Sequence, residues 1–257
     1  MSKIVFFCIP AHGHTNPTLG VVRELISRGH QVFYYSYNMM REKIEATGAT
    51  FVSCDEYDQE QRLDAKDAVR VGKDWAFSTQ ILVDTTLALD DTVCEHMREL
   101  NPDCIVADSM AVWGKAVALK LGIPFVSSTT TFAFNQYSAK IMKQSLRQMF
   151  GMIFSMTKIN KNIKRLQEKG YPVKSVLDII QNDNNTDTIV YTSPEFQPCS
   201  ETFSDKYVFV GPSIRPIENI FEKKSDKLIY ISMGTVINDS TEFYKKCIEH
   251  WLIRNTR

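Results

Sequence analysis

The sequence predicts a doubly wound α/β domain built on a parallel sheet. Short apolar runs alternate with amphipathic stretches along most of the 257 residues. The apolar runs do not alternate with polar residues, which is typical of strands that helices cover on both faces. Several amphipathic stretches end at a glycine or shortly before a proline, where helices usually stop. Strands and helices in this alternation form parallel sheets with right-handed crossovers.

The first predicted unit is an apolar strand over residues 4–9, followed by an amphipathic helix over 15–28. Gly29 closes that helix. The apolar run follows Lys3 and has some likeness to a signal peptide. It is short and the helix follows it directly, so we interpret it as a buried strand.

The same alternation continues to residue 128. The predicted strands are 31–36, 50–53, 104–107 and 125–128, and the predicted helices are 39–47, 75–100 and 112–121. Between them, residues 55–73 are polar and charged and predict a loop. Glycines or a proline follow the helices at positions 48, 102 and 122, which supports these ends.

Residues 134–180 break the rhythm and predict two or three helices rich in Met, Lys and Phe. One interpretation is core packing with solvated lysines. The other is an adaptable apolar wall for a bulky hydrophobic ligand, because methionine surfaces repack easily. Two further strands, 188–192 and 207–210, complete the predicted domain.

The chain is predicted to divide into a large first domain over 1–213, a linker over 214–227 and the start of a second domain over 228–257. The linker contains a proline and a run of charges. The last segment predicts one strand, 228–233, and one helix, 241–252. One β-α unit cannot build a core of its own.

The composition excludes several classes of partner. The chain is 44% hydrophobic and 23% charged, and its 30 basic and 30 acidic residues give a formal net charge of 0. We therefore expect no nucleic-acid partner and no anionic membrane surface as partner. No run reaches the roughly 20 apolar residues that span a bilayer. The six cysteines form no CxxC pair, which favours a reducing, cytoplasmic setting.

The nucleotide-binding and metal-binding motifs that are easiest to recognise are absent. The sequence contains no GxGxxG after its first strand and no GxxxxGK[ST]. His12 and His14 lie in the turn after that strand, where open α/β sheets place ligands and chemistry. No carboxylate cluster or third histidine accompanies them, so we expect no metal site.

Six sequence blocks, taken in order, carry a resemblance to a known family. They are PAHGHTNP (10–17), RELISRGHQV (23–32), PDCIVADSMAVWG (102–114), ALKLGIPFVSSTTT (118–131), FVGPSI (209–214) and LIYISMGTV (228–236). Together they resemble the GT-B glycosyltransferases, specifically the UDP-sugar-dependent enzymes of the macrolide-glycosyltransferase type. The resemblance implies a Rossmann-like, acceptor-binding domain over residues 1–213 and a nucleotide-sugar-binding domain that begins at residue 228.

The resemblance assigns catalysis to His14 and Asp108. His14 matches the general base that takes the proton of the acceptor hydroxyl, and Asp108 matches the carboxylate that orients it. An imidazole accepts a proton near neutral pH, and a buried carboxylate stabilises the protonated ring. The alternatives are a solvated loop histidine and a cap for the helix over 112–121. His12 is expected to be a loop residue without a catalytic role.

Substrate contacts are also implied by the resemblance. The expected donor-binding residues are Ser128, Thr129, Gly234 and Thr235, and the expected acceptor-binding residues are Met110, Trp113, Phe134, Met149 and Phe150. For Ser128 and Thr129 the alternative is an ordinary turn at the end of a strand. A glycine in a turn permits close backbone approach, and hydroxyls and amides suit an anion.

The implied reaction transfers a hexosyl group from a UDP-sugar to a hydroxyl of a hydrophobic small molecule, with inversion. The UDP-sugar is a co-substrate, and helix N-termini and backbone amides, instead of a metal cofactor, stabilise the diphosphate.

The family's second domain is about as large as the first, and its uracil-binding and donor-binding blocks are not in this sequence. We therefore expect a truncated chain. One alternative function is an inactive remnant or a small-molecule-binding module. Another is an unrelated α/β protein, such as a flavodoxin-like fold or a two-domain epimerase, because fold alone does not assign function.

Overall fold

The computed structural model of the chain describes residues 1–55, 70, 74–141, 146–180, 182–214, 229–234 and 240–255. The chain divides into two compact units, Met1–Ile214 and Arg215–Arg257. Residues 215–228, which include most of the predicted linker, lie outside the described residues. The assignment of domains and linker therefore stays a prediction.

A parallel sheet forms the centre of the first unit. Its strands are β1 (Lys3–Phe7), β2 (Gln31–Ser36), β3 (Thr50–Ser53), β4 (Cys104–Asp108), β5 (Phe125–Thr129), β6 (Asp187–Val190) and β7 (Tyr207–Phe209). The order across the sheet is β3-β2-β1-β4-β5-β6-β7, and every pair is parallel. The predicted fold class is confirmed. The strand order reverses between β1 and β4, which opens a crevice at their carboxyl ends.

Helices connect the strands and cover both faces of the sheet. They are α1 (His12–Ser27), α2 (Arg41–Glu45), α3 (Trp75–Leu100), α4 (Val112–Leu121), α5 (Gln136–Ile141), α6 (Leu146–Glu168), α7 (Val176–Ile180) and, in the second unit, α8 (Thr241–Asn255). The segment that predicts two or three helices contains α5, α6 and α7. A short 3-10 turn, Asn38–Met40, precedes α2.

One face of the sheet packs against α1 and α2. Phe6 of β1, Tyr34 of β2 and Val106 of β4 form a buried cluster with Leu19 and Val22 of α1. The rings of Phe6 and Tyr34 stack with their centroids 5.5 Å apart. Because side chains alternate along a strand, the even-numbered residues of β1 and β4 belong to this face.

The opposite face packs against α3 and α4. Phe7 and Ala107 lie in a buried cluster that also contains side chains of both helices. A Cβ atom at Gly114 of α4 would lie 2.6 Å from the Cβ of Ala107 and 2.9 Å from that of Phe7. The glycine therefore permits α4 to approach β1 and β4 more closely than any other residue would.

Two of the differences between the predicted and the observed elements concern the first helix and the second unit. The first helix begins at His12 rather than residue 15, so both histidines lie in its first turn. The predicted strand over 228–233 is wrong for the described residues 229–233, which have no regular secondary structure. A strand needs a neighbouring strand to satisfy its backbone, and a single β-α unit supplies none.

All six cysteines are free thiols, and Cys8, Cys54 and Cys94 are buried as small apolar side chains. Cys104 is only partly buried. Within the described part of the chain, no helix combines the length and the apolar character needed to cross a membrane.

Candidate active site

His14 and Asp108 form a direct hydrogen bond at the carboxyl edge of the sheet. The Nδ1 atom of His14 lies 2.9 Å from the Oδ1 atom of Asp108. The Asp108 side chain is fully buried, whereas 18% of the His14 side chain is exposed. The pair therefore joins an inaccessible carboxylate to an imidazole that a ligand can reach.

The sheet topology brings these two residues together across 94 positions of sequence. Asp108 is the last residue of β4, and His14 follows β1 in the first turn of α1. β1 and β4 are paired, with Phe7 opposite Ala107. Two neighbouring parallel strands that end together place the residues after them at the same edge.

The hydrogen bonds of Asp108 favour one tautomer of His14. The Oδ2 atom of Asp108 accepts a bond from the Met110 amide at 3.3 Å, while its Oδ1 atom faces the ring. An ionised carboxylate only accepts hydrogen bonds, so the hydrogen of the neutral ring is on Nδ1. Nε2 is then the unprotonated nitrogen, as a general base requires.

The alternative role for Asp108, a cap of α4, does not match the structure. The N-cap position of α4 is Ala111, and its side chain makes no capping bond. The Asp108 carboxylate instead bonds to the amide two residues later, which is the pattern of an Asx turn. This turn connects β4 to α4 and orients the carboxylate towards His14.

Thr130 is a third member of the site that the sequence analysis missed. Its Oγ1 atom lies 3.0 Å from the Nδ1 atom of His14. Asp108 is paired with Ser128 across β4 and β5, and side chains alternate along a strand. Thr130, two residues after Ser128, therefore has the same direction as Asp108. The signal was present in the run of three threonines, 129–131, that follows β5.

The two predicted donor contacts on β5 are buried. The Ser128 hydroxyl donates to the Tyr191 hydroxyl at 3.3 Å and has no exposed surface. Thr129 is 5% exposed and points to the opposite side of the strand. Neither side chain joins His14 and Asp108, which matches the alternative reading of these residues as part of a strand end.

His12 and His14 have different partners although they share one helical turn. The Nδ1 atom of His12 lies 3.2 Å from the Nζ atom of Lys43 on α2. Since the Lys43 ammonium can only donate, that nitrogen of His12 accepts. His12 is therefore bound to α2 and is separate from the His14–Asp108 pair. It is a helical residue, whereas the sequence predicts a loop residue.

A layer of buried hydroxyl and thiol groups lies near the pair on the α1 face. Thr18 and Tyr34 exchange a hydrogen bond at 2.7 Å, and Cys8 lies 3.7 Å from the Thr15 hydroxyl. Burial, and then the negative charge of Asp108, raise the pKa of Cys8 well above its ordinary range. Burial raises the pKa of Tyr191 to about 12. The raised pKa values keep the Cys8 thiol and the Tyr191 hydroxyl neutral around pH 7.

The predicted acceptor contacts fall into different environments. Met110 and Phe134 are 43% and 44% exposed, beside the ends of β4 and β5. Trp113 is 5% exposed and belongs to the core cluster on the α3–α4 face, so it does not share a surface with them. For Met149 and Phe150 the structure describes only their place on α6.

The predicted contacts in the second unit are described in part. Gly234 has a φ of 81°, and its amide donates to the Ser232 hydroxyl at 3.1 Å. That φ lies in the region that glycine adopts without strain. Thr235 lies outside the described residues.

Two further features concern what the site could hold. Among the described residues, no group of three or more His, Cys, Asp and Glu side chains is arranged to bind a metal ion. A cavity of about 390 Å³ lies away from His14, between α1 and the segment after β7, and is lined by Val21, Leu25, Tyr191 and Val210 among others. The His14–Asp108 pair itself lies at an edge where the His14 ring is partly exposed.

Comparison with known proteins identifies the class to which this arrangement belongs. No protein-family model matches the chain. It is 31% identical over 262 residues to the uncharacterized UDP-glucosyltransferase YojK of Bacillus subtilis, covering 97% of this chain and 63% of that protein. It is 28% identical over 262 residues to the demethyllactenocin mycarosyltransferase of Streptomyces fradiae, covering 97% and 56%.

Solved structures give the same result for the fold. The glycotransferase of kitacinnamycin superposes with a TM-score of 0.69 at 20% identity, over 96% of this chain and 62% of that one. CalG4, the calicheamicin glycosyltransferase, superposes with a TM-score of 0.59 at 25% identity, over 85% and 54%.

The chain therefore has the α/β fold of the GT-B glycosyltransferases. Over nearly its whole length it is homologous to UDP-glucosyltransferases and macrolide glycosyltransferases, as the resemblance predicts. It spans less than two thirds of the length of the relatives it matches.

Proposed function

We propose that this chain supplies the acceptor side and the general base of a glycosyltransferase that uses a UDP-sugar. The substrate accepting the sugar is a hydrophobic small molecule with a hydroxyl group. The observation that carries the proposal is the His14–Asp108 hydrogen bond at the carboxyl edge of the sheet. The homologous glycosyltransferases support the class of reaction.

In the proposed reaction, Nε2 of His14 takes the proton of the acceptor hydroxyl while the hydroxyl oxygen attacks the anomeric carbon of the sugar. The bond from that carbon to the diphosphate breaks, UDP leaves, and the configuration inverts. The ring becomes an imidazolium, and the Asp108 carboxylate on Nδ1 stabilises the charge. Because Asp108 is buried, its charge acts on the ring with little screening by water.

We assign the acceptor contact to Met110 and Phe134, exposed apolar residues that follow β4 and β5 in the chain. Met110 lies two residues after Asp108, and a short loop separates Phe134 from the end of β5. Their exposed fractions leave apolar area that a hydrophobic acceptor would cover. For the leaving diphosphate we propose Gly234 and Thr235, with amides and hydroxyls in place of a metal ion.

The proposal is tested by a transfer assay with UDP-glucose and a panel of phenolic and macrolide acceptors. The protein is assayed alone and as a chimera that adds the part of the Bacillus relative it does not cover. In whichever form transfers sugar, His14→Ala should reduce the rate by about 10²–10⁴-fold, because a positioned base contributes that much. His12→Ala, in the same helical turn, is the matched control and should retain the rate.

Three outcomes would contradict this proposal in separate ways. Absence of transfer by both forms contradicts the reaction class. Full activity of His14→Ala contradicts the base assignment. Loss of activity with EDTA, restored by Mg²⁺, contradicts the metal-free stabilisation of the diphosphate.

A second candidate is a binding module for an apolar small molecule. The observation that favours it is the exposure of large apolar side chains after β5, with Ile141 60% and Phe154 83% exposed. Calorimetry separates the two functions. Binding of a hydrophobic acceptor without any binding of UDP, in a chain that transfers no sugar, would favour the module.

A further inference from the structure

One nitrogen of His14 has two hydrogen-bond partners from different strands. Nδ1 lies 2.9 Å from Oδ1 of Asp108, at the end of β4, and 3.0 Å from Oγ1 of Thr130, just after β5. The single hydrogen on Nδ1 must account for both distances. Thr130 itself is partly buried, so its position is set by the protein rather than by solvent.

The chemistry of the three groups determines the direction of both bonds. An ionised Asp108 cannot donate, so the Nδ1 hydrogen points towards it. With a hydrogen on Nδ1 that nitrogen has no lone pair for the Thr130 hydroxyl. Thr130 Oγ1 must therefore accept a share of the same hydrogen, in a three-centre bond, while its own O–H points elsewhere.

The reverse arrangement is unfavourable. If Thr130 donated to a bare Nδ1, the carboxylate oxygen of Asp108 would face a nitrogen lone pair at 2.9 Å. Two acceptors at that distance repel each other, and the buried carboxylate would lose a partner. The geometry thus favours one tautomer, with hydrogen on Nδ1.

We propose that Thr130 is a positioning residue that holds the His14 ring in its Nδ1–H tautomer and in a fixed orientation. The inference rests on the proposed function, in which Nε2 of His14 is the base. The torsion that rotates an imidazole is soft, so one acceptor restrains the ring only weakly. Two acceptors on neighbouring strands restrain its plane, and both bonds strengthen when the ring becomes an imidazolium.

The first test reads the tautomer directly and needs no activity. The full chain is labelled with ¹⁵N-histidine, and long-range ¹H–¹⁵N spectra are recorded near pH 7.5, with His14→Gln to assign the signal. We expect Nδ1 of His14 to carry the hydrogen in the unchanged chain. Thr130→Val, which keeps the side-chain shape, should shift the ring nitrogens towards a mixture of tautomers.

Two matched variants complete this test. Thr130→Ser keeps the hydroxyl and should restore the ¹⁵N signature of the unchanged chain. Thr131→Val removes the neighbouring exposed hydroxyl, which donates to the Phe132 carbonyl, and should leave His14 unaffected. A hydrogen on Nε2 in the unchanged chain, or identical spectra for Thr130→Val, would overturn the proposal.

The second test measures kcat and KM in whichever form transfers sugar. Loss of one hydrogen bond to a catalytic base predicts a fall in kcat of about 3–10-fold for Thr130→Val, with KM for the sugar nucleotide unchanged. Thr130→Ser should restore kcat. An increase in that KM with kcat unchanged would show that Thr130 contacts the donor instead, and would overturn the positioning role.

The two tests separate this inference from the proposed function. A tautomer shift in Thr130→Val without transfer by any form supports the positioning of His14 and contradicts the glycosyltransferase proposal. Transfer that depends on His14, with tautomer and kcat both unaffected by Thr130→Val, contradicts the positioning role alone.

Discussion

Among the described residues two aspartates are buried, Asp90 and Asp108, each 2% exposed, and they have very different partners. Asp108 lies on the α1 face, where it bonds to a histidine that is neutral until it accepts a proton. Asp90 lies on α3, where Lys120 of α4 donates to it at 2.6 Å. The same residue type thus faces a switchable partner in one place and a permanent cation in the other.

The Asp90 carboxylate accepts hydrogen bonds from two donors besides Lys120. Its Oδ1 atom also accepts from the Tyr171 hydroxyl at 2.6 Å and the Cys94 thiol at 3.2 Å. The Lys120 ammonium lies 4.4 Å from the centroid of the Tyr171 ring. Burial favours the neutral acid, but the bonds from Lys120, Tyr171 and Cys94 outweigh it and lower the pKa of Asp90.

This difference distinguishes a carboxylate paired with a permanent cation from one whose partner can change its charge. Asp90 connects α3, α4 and the segment after α6, and its donors include a permanent cation. Asp108 contacts a ring whose other nitrogen remains available at an accessible edge. A buried carboxylate is therefore a functional candidate when its partner can change charge and be reached.

The largest effect is expected at Asp90. Asp90→Asn leaves the partly buried Lys120 charge without its buried counter-charge, and should lower the free energy of unfolding by about 3–5 kcal/mol. Urea unfolding followed by circular dichroism measures the change. The matched control is Asp187→Asn, whose partner Lys206 is 46% exposed, and which should change stability by less than about 1 kcal/mol. Equal losses in the two variants would contradict the structural role of Asp90.

A second pair of variants compares how tightly the helices approach the two faces. Gly114→Ala places a Cβ against Ala107 and Phe7, whose backbones cannot yield, and should destabilise by about 1–3 kcal/mol. Gly20→Ala on α1 meets the Ser213 hydroxyl, which can rotate away. Since alanine favours helices over glycine by up to about 1 kcal/mol, Gly20→Ala should be neutral or stabilising. Similar losses in both would show that α1 packs as closely as α4.

Asp108→Asn should have a smaller effect on stability, about 1–2 kcal/mol, because it weakens hydrogen bonds without leaving a buried cation. Chemical unfolding again measures it. Its effect on transfer should be much larger, because an amide does not stabilise the imidazolium as a carboxylate does. A destabilisation as large as that of Asp90→Asn would remove the distinction between the two aspartates.

The smallest effect on stability is expected from lowering the pH. The pKa of Asp90 in the folded chain lies below its ordinary value of 3.8. Its contribution to stability is therefore complete above that pH and is lost as the pH falls through the folded-state value. The stability difference between the unchanged chain and Asp90→Asn should shrink below about pH 4. A difference that is constant from pH 6 to pH 3 would contradict the lowered pKa.

The sequence predicted elements well where local signals mark both ends. The bounds of α3 match the structure because Asp74 caps its first turn, through a bond from the Phe77 amide, and Asn101 ends it in a left-handed conformation before a proline. The start of α1 was predicted three residues late. Glycine and proline in the first turns of α1 have low helix propensity, which argues against an early start. Tertiary packing overrides this local preference.

The His14–Asp108 pair is predictable from the sequence as far as the order of the strands is predictable. His14 and Asp108 each follow an apolar run, and neighbouring parallel strands bring them together. Thr130 was missed because three identical threonines give no local reason to choose one of them. The choice depends on the register of β4 and β5, which pairs Asp108 with Ser128, and register is a property of the assembled sheet.

The position of His14 also has a consequence for folding. Its two hydrogen bonds join residues 94 and 116 positions apart in the chain. Contacts of such separation close long loops, whose entropy opposes them early in folding. The three side chains meet only after β1, β4 and β5 have aligned in one sheet. The tautomer of His14 is therefore a local reporter that distinguishes native molecules from compact, helix-containing intermediates without a fixed tertiary structure.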